Sequence, residues 1–194
     1  IKSIIAYPRI GIQKTFICMG IAFMVVIMLL AQLLSFPPAG WTPAEIKTAF
    51  AATSAESTPD LSRQAMLKTR NFYALWVIYT IGCLAGLMAI GIASPVGTEV
   101  AKLDTTIAAL AVSLFAVFNG LGRPIFGALT DKVGPKHAAI VSFTMILGAS
   151  LLIFFLGHGN ATVYLFAFCV LWMCLGGWLA IAPTATGILF GKKH

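Results

Sequence analysis

The sequence predicts an all-α, polytopic integral membrane protein with about five transmembrane helices, and three observations predict it. Hydrophobic residues make up 59% of the 194 and charged residues only 10%, against roughly a quarter charged in a soluble domain. The apolar residues gather into five runs, each long enough for the ~20 residues of helix that cross a bilayer. None of the runs alternates with period two, so they read as helices and not as strands of a membrane barrel.

The first run covers residues 16–36. It is too long for a signal peptide and lacks a small-residue cleavage site. Its one polar residue near the end, Gln32, falls at headgroup level. The chain opens on Ile1 without a methionine and is expected to be a fragment of a larger protein.

Residues 37–71 differ from the rest. They are polar, hold Pro37, Pro38, Pro43 and Pro59, and carry more charged residues than any other loop. Pro59-Asp60 followed by Leu61, Ala65 and Met66 predicts a short amphipathic helix on the membrane surface with Asp60 as its N-cap. A long charged linker between apolar blocks predicts a boundary between two helical bundles.

The second run, 72–94, carries a Gly82-x-x-x-Gly86 pair suited to close helix packing, with Tyr73 and Trp76 as interface anchors. The third, fourth and fifth runs cover 106–129, 138–156 and 163–190. In the last, Gly176, Gly177 and Pro183 predict a helix able to flex. Two readings of Trp178 stand open: the wall of a pocket for a small anion, or a side chain facing lipid or a neighbouring helix.

Basic residues in the loops set the orientation. Lys47, Arg63, Lys68 and Arg70 follow the first run, Lys132 and Lys136 the third, and Lys192 and Lys193 the fifth, so these segments are expected in the cytoplasm. The opposite loops hold Lys102 and His158. Lys2, Arg9 and Lys14, before the first run, disagree with the pattern.

The net charge of +7 is dispersed between apolar runs, which argues against a nucleic-acid partner and for a lipid bilayer. His137, His158 and His194 stand apart, with no His-x-x-x-His spacing for a metal and no Gly-x-Ser-x-Gly elbow elsewhere. No enzyme activity, metal or cofactor is expected. Cys18, Cys83, Cys169 and Cys174 lie inside apolar runs and read as small core- or lipid-facing thiols. Asn160-Ala161-Thr162 matches a glycosylation sequon, in a loop too short to favour modification.

The densest information lies in the third run and the loop after it. At helical steps of three and four, Ala109, Val112, Ala116, Asn119, Gly120, Arg123 and Gly127 share one small and polar face. Leu110, Leu114, Phe118, Leu121, Ile125 and Leu129 form a bulky face expected to meet lipid. The small face is expected to meet other helices or an aqueous cavity. Arg123 lies eight residues before Asp131, about 12 Å along the helix at 1.5 Å per residue. An arginine at that depth costs about 2.5–3.5 kcal/mol on insertion scales. It either binds an anion in a cavity or snorkels to the inner headgroups. Pro124 after it favours a kink.

The loop reads Gly127-x-x-x-Asp131-Lys132-x-Gly134-x-Lys136. Gly127 permits a close helix and Gly134 a tight turn. Asp131 can accept from amides at a helix N-terminus, and the lysines hold the loop in the cytoplasm.

This loop resembles the inter-helix signature of the major facilitator superfamily, Gly-x-x-x-Asp-Arg/Lys-x-Gly-x-Lys, with Pro135 interrupting the usual basic pair before Lys136. Other stretches are similar to its oxalate/formate antiporter branch. These are Pro37-Pro38-Ala39-Gly40-Trp41-Thr42-Pro43, Met66-Leu67-Lys68-Thr69 with Phe72-Tyr73-Ala74-Leu75-Trp76, and Ala85-Gly86-Leu87-Met88-Ala89-Ile90-Gly91. Gly176-Gly177, Ala182-Pro183 and Phe190-Gly191 extend the likeness to the last run.

The resemblance implies a partial major facilitator-type bundle, helices six to ten of a twelve-helix carrier in the cell (plasma) membrane. Residues 1–36 would hold the last helix of the N-terminal bundle, 37–71 the central cytoplasmic linker, and 72–194 four helices of the C-terminal bundle. The implied function is secondary transport of small organic anions, mono- or dicarboxylates, by alternating access. By the resemblance Arg123 would bind the substrate, with a second cation expected on helix eleven; the polar face of the third run adds Asn119, and the last run Trp178, as candidate substrate-binding residues. Gly127, Asp131, Lys132, Gly134 and Lys136 would form the gating motif, with Asp131 meeting helix eleven. The remaining helices of the carrier are implied partners. The competing readings are a transporter-like solute sensor and a non-transporting membrane fragment.

Overall fold

A computed structural model describes residues 11–33 and 61–191. The expected Asp60 cap and most of the linker lie outside the described residues, as do Lys2, Arg9, Lys192 and Lys193. The chain divides into two compact units, Ile1–Glu45 and Ile46–His194.

The first unit contains one helix, α1 (Ile12–Ala31). It begins and ends earlier than the apolar run, taking Lys14 into its first turn and ending at Gln32. Its large apolar side chains are exposed, Phe16 and Leu29 among them.

The second unit opens with one helical turn, α2 (Arg63–Met66). Its cap is Ser62, whose Oγ accepts the Ala65 amide at 3.4 Å. Thr69 then both closes this turn, donating to the Met66 carbonyl at 2.7 Å, and caps the next helix by accepting the Phe72 amide at 3.3 Å. The Leu61 amide donates to the Phe190 carbonyl at 3.0 Å, so the entering segment is strapped to the end of the last helix.

α3 (Arg70–Pro95) passes directly into a π-helical turn, Val96–Val100. The apolar run suggested an end at Ser94. Instead the chain widens after Pro95, which has no N–H to offer, and the Ala101 amide bonds back five residues to the Val96 carbonyl at 3.0 Å. Asp104 caps α4 (Thr105–Val133) by accepting the Thr106 amide at 2.7 Å. α4 runs through Pro124 without a break in the helix. α5 (Pro135–Leu156) starts with proline at its first position, where a missing N–H costs nothing. Asn160 caps α6 (Ala161–Phe190), accepting the Val163 amide at 3.1 Å.

Gly134 divides the helical stretch Thr105–Leu156, 52 residues, into α4 and α5. At φ 82° and ψ 161° it occupies a region open essentially to glycine alone. α1, α3, α4, α5 and α6 are therefore five helices of membrane-crossing length, and the described residues hold no strand. This is the partial all-α bundle that the sequence predicts.

α6 is the axis of the second unit. It is apolar on every side, which marks a buried helix, and α3, α4 and α5 each pack on it. α4 runs parallel to α6: Phe115 meets Tyr164 and Trp172, and Phe126 faces Gly177. α3 and α5 run antiparallel to it, with Gly82 and Phe143 both against Trp178 and Gly86 against Leu175. One core cluster gathers Phe115, Tyr164, Phe168 and Trp172, and a second gathers Phe126, Cys174, Trp178 and Ile181.

Gly176 and Gly177 do not loosen α6. A Cβ at Gly176 would overlap the Asn119 carbonyl oxygen, and one at Gly177 the Phe126 ring. They are places of close approach in an unbroken helix.

Candidate functional site

α4 presents three strips. Ala108, Ala111, Phe115, Gly122, Phe126 and Thr130 are buried and form the seam with α6. Leu110, Leu114, Leu121 and Ile125 are exposed, as expected of a lipid face, while Phe118 and Leu129 at its edge pack partly on the core. The third strip is the small and polar one.

That strip does not form the helix seam. Ala109, Ala116, Gly120 and Arg123 are exposed, and Val112, Asn119 and Gly127 are half-buried at its edge. The seam lies about a quarter turn away, at 100° per residue. The pattern misleads because two bulky residues, Phe115 and Phe126, are seated in the seam against the aromatic and glycine surface of α6. Gly122 completes it, for a Cβ there would overlap the Met173 carbonyl oxygen.

Arg123 stands on the exposed strip one turn from Asn119 and one turn from Gly127, both of which border α6. It lies ten residues before the end of α4, about 15 Å of helix. Its guanidinium makes no hydrogen bond or ion pair with any described residue.

Asn119 spends its side-chain amide on α6, Nδ2 donating to the Trp172 carbonyl at 3.1 Å. Trp178 is fully buried, its ring 5.2 Å from that of Phe143 and 6.5 Å from that of Tyr79. A Cβ at Gly82 would overlap its indole. Of the two readings of Trp178, the helix-facing one matches its position, on the side of α6 turned away from α4. The structure thus brings Arg123 and Asn119 together on α4 and leaves Trp178 apart from them.

Two apolar grooves of about 540 Å³ open along α6, one against α3 (Phe72, Trp76, Tyr79, Pro183) and one between α3 and α5 (Ile78, Phe143, Trp178, Ile181). Arg123 lines neither.

The loop motif is distributed over the α4–α5 turn. Gly127 is half-buried, and a Cβ there would stand 3.9 Å from the Ala180 Cβ, ordinary contact, so α6 does not require glycine at this position. The glycine that α6 does require is Gly122. Gly134 makes the turn as expected. Lys132, in the last turn of α4, complements the helix dipole, and both it and Lys136 are exposed. Asp131 is exposed and takes no amide from the start of α5 or any other hydrogen bond within the described residues. His137 Nδ1 instead lies 2.9 Å from the Val133 carbonyl.

Among the described residues no group of His, Cys, Asp and Glu could hold a metal ion. Tyr164 and the π turn were missed at the sequence level; a tyrosine in the first turn of a long apolar helix, opposite Pro95 and Gly97, is the signal that was present.

Five membrane-length helices, four of them packed as a bundle, define a multi-pass integral membrane protein. The chain belongs to the Major Facilitator Superfamily, whose family model matches residues 3–192. That family is one of transporters and not of enzymes. An uncharacterized MFS-type transporter of Escherichia coli (strain K12), YhjX, is 26% identical over 186 residues, covering 95% of this chain and 44% of the relative. The oxalate:formate antiporter of Oxalobacter formigenes is 24% identical over 187 residues, covering 95% of this chain and 42% of the relative. The chain therefore spans less than half the length of these curated relatives.

Proposed function

We propose that this chain is the helix-six-to-ten portion of a secondary transporter for small organic anions, mono- or dicarboxylates, working by alternating access. The carrying observation is Arg123, an exposed guanidinium about 15 Å into a membrane helix, on a strip of small residues with no described helix over it. Its depth and face suit an aqueous cavity between two bundles. There it offers a carboxylate paired, charge-assisted hydrogen bonds. The likeness to an oxalate:formate antiporter supports the anion class.

In this reading residues 1–36 end the N-terminal bundle, 37–71 are the cytoplasmic linker and 72–194 begin the C-terminal bundle. Asp131, unengaged on the turn with Lys132 and Lys136, is the cytoplasmic latch for a helix beyond this segment. Gly134 shapes that turn, and Gly127 stands in the last turns of α4 that lead to it. The segment alone does not transport.

The test is uptake of labelled oxalate and formate into liposomes holding the carrier that contains this segment. Arg123→Gln is expected to lower uptake at least about tenfold, the weight of one charge-assisted bond pair. Unchanged uptake overturns the assignment.

A further inference from the structure

We infer that Asn119 is a positioning residue for Arg123 and not a ligand of the substrate, an inference that rests on Arg123 being the anion-binding cation. The α4–α6 seam is glycine-lined on both sides: Gly122 against the Met173 carbonyl, Gly176 against the Asn119 carbonyl. Glycine surfaces set how near two helices lie. They resist neither sliding nor rotation, because they present no side chain to interlock.

The Asn119 amide supplies what the glycines lack. Nδ2 donates to the Trp172 carbonyl at 3.1 Å across 53 residues of sequence. A carbonyl already inside a helix has a second lone pair to accept with. Phe115 and Phe126 interlock with α6 on either side of this stretch, and the bond adds to them in holding the depth and the azimuth of α4 at the glycine-lined middle of the seam. Arg123 lies one turn further along α4, at the exposed edge of the same seam. A shift of one residue in the contact register turns α4 by about 100° and would move the guanidinium from its place at the edge of the seam. The amide therefore acts on the anion through Arg123.

The register can be read without transport. A cysteine pair, Gly127→Cys with Ala180→Cys, places its Cβ atoms about 3.9 Å apart, inside the range that closes a disulfide. The pair is built in this chain with Cys18, Cys83, Cys169 and Cys174 replaced by alanine, and oxidised in membranes. Asn119→Leu, near in size but without a donor, is expected to slow cross-linking about threefold, the worth of one interhelical bond in a membrane. Asn119→Gln is expected to recover part of the rate.

In the carrier, Asn119→Leu is expected to raise KM for oxalate and for formate. Unchanged cross-linking or an unchanged KM overturns the positioning role, a raised KM with unchanged cross-linking marking Asn119 as a direct ligand instead. Full uptake by Arg123→Gln would defeat the binding assignment, and this role with it, while the cross-linking rate would still report the α4–α6 register.

Discussion

The hydroxyl of Tyr164, on α6, donates a 2.7 Å hydrogen bond to the carbonyl of Ala93, on α3, and both residues are buried. The bond falls where α3 gives way to its π turn. Gly97, inside that turn, leaves room for the phenol: a Cβ there would stand 2.9 Å from the hydroxyl oxygen. Pro95, the π turn and Tyr164 form one arrangement that pins the end of α3 to the central helix.

Tyr164→Phe should therefore weaken the bundle by about 0.5–1.5 kcal/mol, since the ring packing with Phe115 and Phe168 survives and only the donor is lost. Equilibrium unfolding of the purified chain in mixed detergent measures it. No measurable loss would mean that the hydroxyl does not hold the Ala93 carbonyl.

The two glycines of α4 nearest α6 should respond oppositely to the same added methyl. Gly122→Ala drives a Cβ into the Met173 carbonyl, a backbone atom that cannot step aside, and is expected to cost about 1–3 kcal/mol or more. Gly127→Ala meets only the Ala180 methyl at 3.9 Å and is expected to change stability by less than about 0.5 kcal/mol. Thermal unfolding of both variants side by side decides the point.

At Gly134, with φ 82° and ψ 161°, alanine is expected to cost about 1–3 kcal/mol. Asparagine should not rescue it, because asparagine tolerates the left-handed helical region near ψ 47° and not this one. Recovery of stability by Gly134→Asn would show that the turn adopts another conformation.

Gly82 on α3 and Trp178 on α6 are a complementary pair, an absent side chain against a large one. Gly82→Ala is expected to destabilise by overpacking, about 1–3 kcal/mol. With Trp178→Leu as background the same change should cost less, so the two substitutions should be non-additive by at least about 0.5 kcal/mol. Additive costs in a double-mutant cycle would place the indole elsewhere.

The five helices were legible because hydropathy is local, and so were the Gly134 turn and the packing role of Gly82 and Gly86. The caps were less so. Asn160 was noticed for its sequon but caps α6, and the capping turn before α3 starts at Ser62. Of the candidate site, the spacing shows that Arg123 shares a face with Asn119 and Gly127, but not whether that face meets a helix or a cavity. Small residues mark both, and only the seating of Phe115 and Phe126 against α6 shows which side of α4 is the seam.

What the sequence by itself determined is the class of protein, the number of long helices and the family-type loop from Gly127 to Lys136. These follow from composition and near-neighbour spacing, which folding does not alter. The tertiary structure alone decided that α6 is the axis, that Gly122 and not Gly127 is the glycine its packing requires, and that Asn119 gives its amide to Trp172. In a membrane the lipid-facing and core-facing sides of a helix are both apolar, so periodicity carries little information about direction. Direction is settled by which shapes meet across helices, and that depends on residues some fifty positions apart.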